Sequence, residues 1–420
     1  MAIKNLFVLI LVVINYNGYA QINICDSLKN LYDSHQYLEM DKLCSRHKSD
    51  SSYYLYKGAF ANVCNNPILS NQYLNRVSDK KARHSFEYWR LRNDNWIKLF
   101  NYKNAFQTSK VLTTTFKSQF DSVALGDEIN SQRIWEALQD QPPQQIKNYT
   151  TITLTTKKDK AGLITCNVSA NNVDTNFVFD TGAGISCITE SMGKKMGILI
   201  MPDNNIEIMS FTGISNKVSI GIMPLLNIGA LTVYNTPFLI YPDSAFTFAN
   251  GTYVINGIIG FPVAKDLGTI IIEKESISFS RRNQKKKRER NLFVDQLRPI
   301  LMLTYKNKTL PFNFDSGAQE SLFYKSFYDL FESDIKTKSN TFIDKSSGAG
   351  GHEVINEVLE IKNVNLNIGD QTILLPKLKI DKNNYSTYGK ANFGNIGQDI
   401  LRQYKKVIIS FNKNYIQLEN

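Results

Sequence analysis

The sequence predicts a multidomain chain, an all-α N-terminal domain of helical hairpins followed by a mainly-β region in two duplicated lobes. Three observations carry this. Apolar residues recur at helical spacing up to about residue 145, and strand-like runs replace them from Tyr149 onward. Within the β region two segments repeat, Phe177-Val-Phe-Asp180-Thr-Gly-Ala183 and Phe312-Asn-Phe-Asp315-Ser-Gly-Ala318.

Residues 1–20 read as a secretory signal. Lys4 precedes an apolar run from Leu6 to Ile14, and the small residues Gly18 and Ala20 stand before Gln21. The run is too short to span a bilayer, and Cys25 lacks the small residue that precedes a lipidated cysteine. An exported protein, periplasmic or extracellular, is therefore expected. Residues 21–145 follow as the helical domain. Leu28, Leu31, His35 and Leu38 keep a helical rhythm, as do Tyr56, Phe60 and Val63, while Phe86, Trp89, Trp96 and Phe100 line one face as expected core. Polar breaks at residues 48–52 and at Asn65-Asn66-Pro67 separate the helices. The pattern resembles tetratricopeptide hairpins, although the signature residues of that repeat are mostly missing. Pro142 and Pro143 close the domain, since consecutive prolines cannot continue a helix.

Strands are expected from Tyr149 to Thr156, Gly162 to Ser169 and Asn176 to Asp180, and again from Ile300 to Tyr305 and Leu310 to Asp315. Each set leads into an aspartate. A lone Asp-x-Gly reads as an Asx turn after a strand, so the surroundings decide, and they recur at matching offsets. Ser186 pairs with Ser321, Ile188 with Phe323, Gly213 with Gly348, and Leu226-Asn-Ile-Gly229 with Leu366-Asn-Ile-Gly369; Ile258-Ile-Gly260 answers Asn395-Ile-Gly397. Two carboxylates forced together cannot both ionise, so such a pair holds one proton at mildly acidic pH. The ionised member can then activate a water, and the protonated member can hydrogen-bond a carbonyl under attack.

On these motifs each half resembles the retropepsin-like and pepsin-like aspartic proteases, over residues 148 to 420. The stretch from Gly397 to Leu418 is similar to the C-terminal end of bacterial members, and Gly260 to Gly268 is a looser version. The resemblance implies two retropepsin-like closed β-barrel lobes, 148–280 and 292–420, joined by a basic linker at 281–291. It implies an aspartic endopeptidase that takes a peptide or protein substrate and needs no cofactor. Asp180 and Asp315 are its catalytic pair, and the hydroxyls of Thr181 and Ser316 reach across to the opposite lobe. Gly182 and Gly317 allow the tight turn behind each carboxylate, and Ala183 and Ala318 keep the cleft floor small. Flap residues fall at Phe211, Thr212 and Gly213 and at Gly348, Ala349 and Gly350. Neither tip carries the tyrosine of the pepsin flap, and Phe211 is the stand-in. The competing reading is a non-catalytic peptide- or envelope-binding protein that uses the same cleft or the helical domain.

Charge adds one feature. The chain carries 49 Lys and Arg against 38 Asp and Glu, a formal net charge of +11, and Arg281 to Arg290 supplies over half of it. Behind a secretory leader, and without aromatic or motif support, this run does not indicate nucleic acid. It reads as a solvated interlobe loop, with docking to an anionic surface or proteolytic nicking as alternatives. With 5 cysteines at least one stays unpaired in a monomer; a bridge is open among Cys25, Cys44 and Cys64, whereas Cys166 and Cys187 suit core positions. The 4 histidines lack metal-ligand spacing, and no cysteine has an activating motif.

Overall fold

The computed structural model describes residues 24–202, 205–210, 213–282, 288–346, 348–351, 354–383 and 391–420. The signal segment, Phe211, Thr212 and the centre of the basic run lie outside the described residues.

Helices Ile24–Asp33, Tyr37–Arg46, Tyr53–Val63, Pro67–Asn75, Lys80–Arg83, Phe86–Lys98, Tyr102–Thr115 and Ser122–Leu138 make up the N-terminal region. Their starts follow local chemistry. Asn66 caps the helix that opens with Pro67, its side chain accepting from the Leu69 amide, and Asp79, Ser85, Asn101 and Asp121 cap in the same manner. Two expectations need correction. The Leu28-to-Leu38 rhythm spans two helices, because His35 adopts a left-handed φ of 57° between them. Helix Phe86–Lys98 buries Leu91, Asn93, Asp94, Asn95 and Lys98, leaving Trp89 and Trp96 half-buried. Phe100 is buried, but it lies beyond the helix end with φ 55°. The polar face is tolerated because its groups are paired, Asp94 Oδ1 excepted. Lys98 Nζ lies 2.7 Å from Asp94 and donates to the carbonyls of Asn62 and Val294 at 3.1 Å. Asn95 donates to Ser70 Oγ at 2.8 Å and accepts from Asn62 at 2.9 Å.

The β region begins directly after the prolines, with Gln145–Ile146 pairing antiparallel to Leu231–Tyr241. In its first half Ile164–Ala170 lies antiparallel to Val173–Phe179, which runs parallel to Gly257–Ile259. That short strand is antiparallel to Ser186–Thr189, itself parallel to Leu231–Tyr241, and a hairpin links the last to Ser215–Ile228. The second half repeats the scheme. Arg298–Tyr305 pairs with Lys308–Phe314, then come Gly394–Ile396, Leu322–Phe323, Gln371–Ile380 and Val354–Ile368 with the same directions.

The repeated Leu-Asn-Ile-Gly has a local cause. Gly229 and Gly369 take φ 54° and 53° at the hairpin turn, a conformation that favours glycine. Behind the turn, Thr232 donates to Asn227 Oδ1 at 3.0 Å and Thr372 to Asn367 Oδ1 at 2.8 Å, between residues paired across the strands.

Backbone pairing also joins the halves. Thr269–Glu273 lies antiparallel to Lys406–Ser410, Ile271 opposite Ile408, and Phe261 meets Phe411 edge-on at 5.0 Å. One apolar core runs through both halves, from Phe177 and Phe179 to Phe312 and Phe314. The helical region rests on both. Tyr37 packs edge-on against Phe293 at 5.3 Å, while Tyr102, Trp135 and Leu138 share a core with Ile206 and Val218. At the first contact His35 Nε2 lies 3.4 Å from Asp295 Oδ2 and Arg90 lies 3.6 Å from the same oxygen. Burial pushes the Asp295 carboxyl up, but His35 and Arg90 outweigh it and hold the group well below the usual carboxylate range.

No disulfide joins any of the five cysteines, so no bridge forms among Cys25, Cys44 and Cys64, and Cys166 and Cys187 are buried. Among the described residues no helix is long and apolar enough to cross a membrane.

Candidate active site

Asp180 and Asp315 each follow the last residue of an inner strand, and the strand sets their position. The Asp180 amide donates to Ile259 O at 3.0 Å, and the Asp315 amide donates to Ile396 O at 3.0 Å. The chain then turns so that amides point back at the carboxylate. Gly182 and Ala183 donate to Asp180 Oδ1 at 2.7 and 3.2 Å, and Gly317 and Ala318 to Asp315 Oδ1 at 2.8 and 3.1 Å.

Thr181 and Ser316 lock the two turns together. Thr181 Oγ1 donates to Phe314 O at 3.1 Å and accepts from the Ser316 amide at 3.0 Å; Ser316 Oγ donates to Phe179 O at 2.9 Å and accepts from the Thr181 amide at 3.0 Å. Both hydroxyl residues are fully buried. The consequence is close approach of the carboxylates. A Cβ on Gly182 would lie 2.5 Å from Asp315 Oδ1, and one on Gly317 would lie 2.5 Å from Asp180 Oδ1. Each glycine therefore leaves room for the opposite carboxylate. Both aspartates remain partly open to solvent.

Outer supports recur as well. Ser186 Oγ accepts from the Gly260 amide and Ser321 Oγ from the Gly397 amide, both at 3.0 Å. A Cβ on Gly260 would meet Ala183 O at 2.7 Å, and one on Gly397 would meet Ala318 O at 2.9 Å, which explains the glycine in both late motifs. Burial, then the facing Asp315 carboxylate, push Asp180 well above the usual carboxylate range, against the pull of the Gly182 and Ala183 amides.

Two hairpins hold the positions where the sequence places flaps. Ile206–Met209 pairs with Ser215–Ile228 around Gly213, whose φ is 79°. Asn340–Ser346 pairs with Val354–Ile368, and Gly348, Ala349 and Gly350 lie in the turn between them. The second tip touches the first half of the β region: the Gly350 amide donates to Ala245 O at 3.0 Å, and Asn216 Nδ2 donates to Gly350 O. Ala349 packs against the apolar cluster of Tyr241 and Phe246.

One polar contact was missed by reading the motifs as equal. Asn395 Nδ2 donates to Asp315 Oδ2 at 3.1 Å, whereas the matching position in the first half is the buried Ile258. The departure was visible in Asn395-Ile-Gly397 against Ile258-Ile-Gly260, but only geometry aims the amide at the carboxylate.

A family model described as aspartyl protease matches residues 165–263, which hold Asp180, Ser186 and Gly260. That segment is aspartyl protease-like. A search of curated proteins finds no match to the chain. Among solved structures the chain is similar to basic 7S globulin from soybean, with 11% identity over 65% of this chain and 95% of that one and a TM-score of 0.40. It is also similar to conglutin gamma, a basic 7S globulin from lupine seeds, with 8% identity over 64% and 94% and a TM-score of 0.39.

Proposed function

We propose that the chain is an aspartic endopeptidase whose two β halves act as retropepsin-like lobes around one cleft, with Asp180 and Asp315 as the catalytic pair. The observation that carries this reading is the reciprocal hydroxyl-to-backbone exchange between Thr181 and Ser316, because it holds two solvent-touching carboxylates against each other's glycine turn. A water between such carboxylates loses a proton to the ionised one as it attacks the peptide carbonyl. The protonated one hydrogen-bonds the carbonyl oxygen, which gains negative charge, and the proton taken from water then passes to the leaving amine as the C–N bond breaks. Turn amides of Gly348 and Ala349 suit pairing with an extended peptide, while the Gly213 amide is engaged by Ser210 O and the Gly350 amide by Ala245 O.

Export, to the periplasm or outside the cell, is part of the proposal and rests on residues 1–20. Contact of residues 281–290 with an anionic surface rests on their charge.

The test is incubation of the protein with an unfolded protein substrate from pH 3 to 8. Asp180→Asn and Asp315→Asn should each lower kcat by about 10²–10⁴-fold or more, the span of general acid–base catalysis, with the fold retained by circular dichroism. Undiminished cleavage in both variants refutes the reading. Peptide binding without turnover by the unmodified protein would assign the cleft to a non-catalytic binding protein instead.

A further inference from the structure

The two carboxylates share a mirrored set of turn amides, yet their wider surroundings differ. On the first side the neighbours of the Asp180 strand are apolar. Ile258 is paired with both Val178 and Cys187, and all three are buried. On the second side the same positions hold Asn313, Leu322 and Asn395, with Asn395 paired to the other two. Asn392 donates to Asn313 Oδ1 at 2.9 Å, extending the polar character.

Asp315 therefore accepts three hydrogen bonds, two turn amides on Oδ1 and Asn395 Nδ2 on Oδ2. Asp180 accepts two amides on Oδ1, and its side chain lies within hydrogen-bond reach of Asp315. An N–H donor stabilises the ionised form of the carboxyl it meets, and an apolar wall stabilises the neutral form. Both differences point the same way.

We propose that Asn395 is a positioning residue that keeps Asp315 as the ionised member of the pair and places the single shared proton on Asp180. This rests on the aspartic-protease reading and deepens it. Asp315 is then the group that takes the proton from the attacking water, and Asp180 is the group that hydrogen-bonds the carbonyl. Other titratable groups do not blur the assignment. The Cys187 thiol interacts with Asp180, and its own burial pushes it up, keeping it neutral. Asp399, on the short helix after Asn395, is turned away to accept from Ser321 Oγ at 2.7 Å and from the Ile400 amide at 3.0 Å.

The experiment uses the full chain labelled with ¹³C at aspartate side-chain carboxyls, titrated by NMR, with Asp180→Asn and Asp315→Asn to assign the two signals. Between the two titration steps the Asp180 signal should be that of a neutral carboxyl and the Asp315 signal that of a carboxylate. In Asn395→Ile, which installs the residue found at position 258, the lower step and the acid limb of kcat/KM should move up by about one pH unit, the scale of one lost hydrogen bond to an ionised group. Asn395→Ser, which keeps a donor, should restore part of the shift. Ile258→Asn, which gives the first side the same residue type, should narrow the difference between the two signals.

A neutral signal on Asp315, or an Asn395→Ile titration that coincides with the unmodified protein, overturns the proposal. Should Asn395→Ile fail to fold, the Ser and Ile258→Asn variants decide it, the proposal failing if neither moves the titration. The carbon titration needs no turnover. Absence of proteolysis would thus sink the functional reading and leave the role of Asn395 to be judged by itself.

Discussion

Thr181 and Ser316 show how much two small side chains hold together, since each hydroxyl gives one hydrogen bond and takes another across the junction of the two β halves. Thr181→Val keeps the shape but leaves the Ser316 amide and the Phe314 carbonyl without partners in a buried place. We expect it to destabilise the protein by about 1–3 kcal/mol, the penalty for a buried unsatisfied group, read as a lower midpoint in urea. Thr181→Ser should stay close to the unmodified protein, because Ser316 fills the matching position with the same hydroxyl. At this scale much was legible in the chain. The Asp-Thr-Gly-Ala and Asp-Ser-Gly-Ala repeats, Ser186 with Ser321, and Gly260 with Gly397 all carry side-chain chemistry that a spacing argument can find. Asn395 stayed hidden because its role depends on the direction of an amide, which no spacing encodes.

Among the elements, the strands could be read from their strand-like runs, whereas the repeated Leu-Asn-Ile-Gly was legible only as a repeat, and the structure shows it to be a hairpin turn with glycine at positive φ. The helices were harder. His35 interrupts the first rhythm in a left-handed conformation, and a non-glycine residue gives no warning of it. Helix Phe86–Lys98 turns a polar face inward because Ser70, Asn62 and a strand carbonyl, all distant in sequence, supply its partners. Lys98 and Asp94 offer a test of that face. Lys98→Ala strands the Asp94 carboxylate in a buried site and should cost about 3–5 kcal/mol, whereas Lys98→Met with Asp94→Leu removes both charges and should cost less, about 1–3 kcal/mol, because the Asn62 and Val294 carbonyls still lose their donor. Thermal unfolding of the two variants separates these outcomes. A single substitution as mild as the double one would mean that water reaches the pair.

For the whole molecule, the helical region bears on both β halves, so its junctions belong to overall stability. Asp295 is the sensitive group there. Its folded-state affinity for protons is depressed by His35 and Arg90, so its contribution is present above the ordinary aspartate value, about 3.9, and is lost as pH falls below it. Asp295→Asn should accordingly lower the melting temperature at pH 7, with the gap to the unmodified protein closing as pH falls below about 4. A gap that is the same at pH 7 and pH 3 would place the effect in packing instead of charge. The mutual placement of helices and strands was the least legible property, because Tyr37 on Phe293 and Trp135 beside Ile206 are contacts between distant segments that carry no local signature.

The antiparallel pairing of Thr269–Glu273 with Lys406–Ser410 has a further consequence. In a symmetric homodimer the two halves of such a site must find each other in solution, and any substitution appears on both sides at once. Here both strands belong to one polypeptide, so their pairing is intramolecular. A substitution in one half therefore need not appear in the other, and Asn395 stands beside Asp315 where the first half has the buried Ile258.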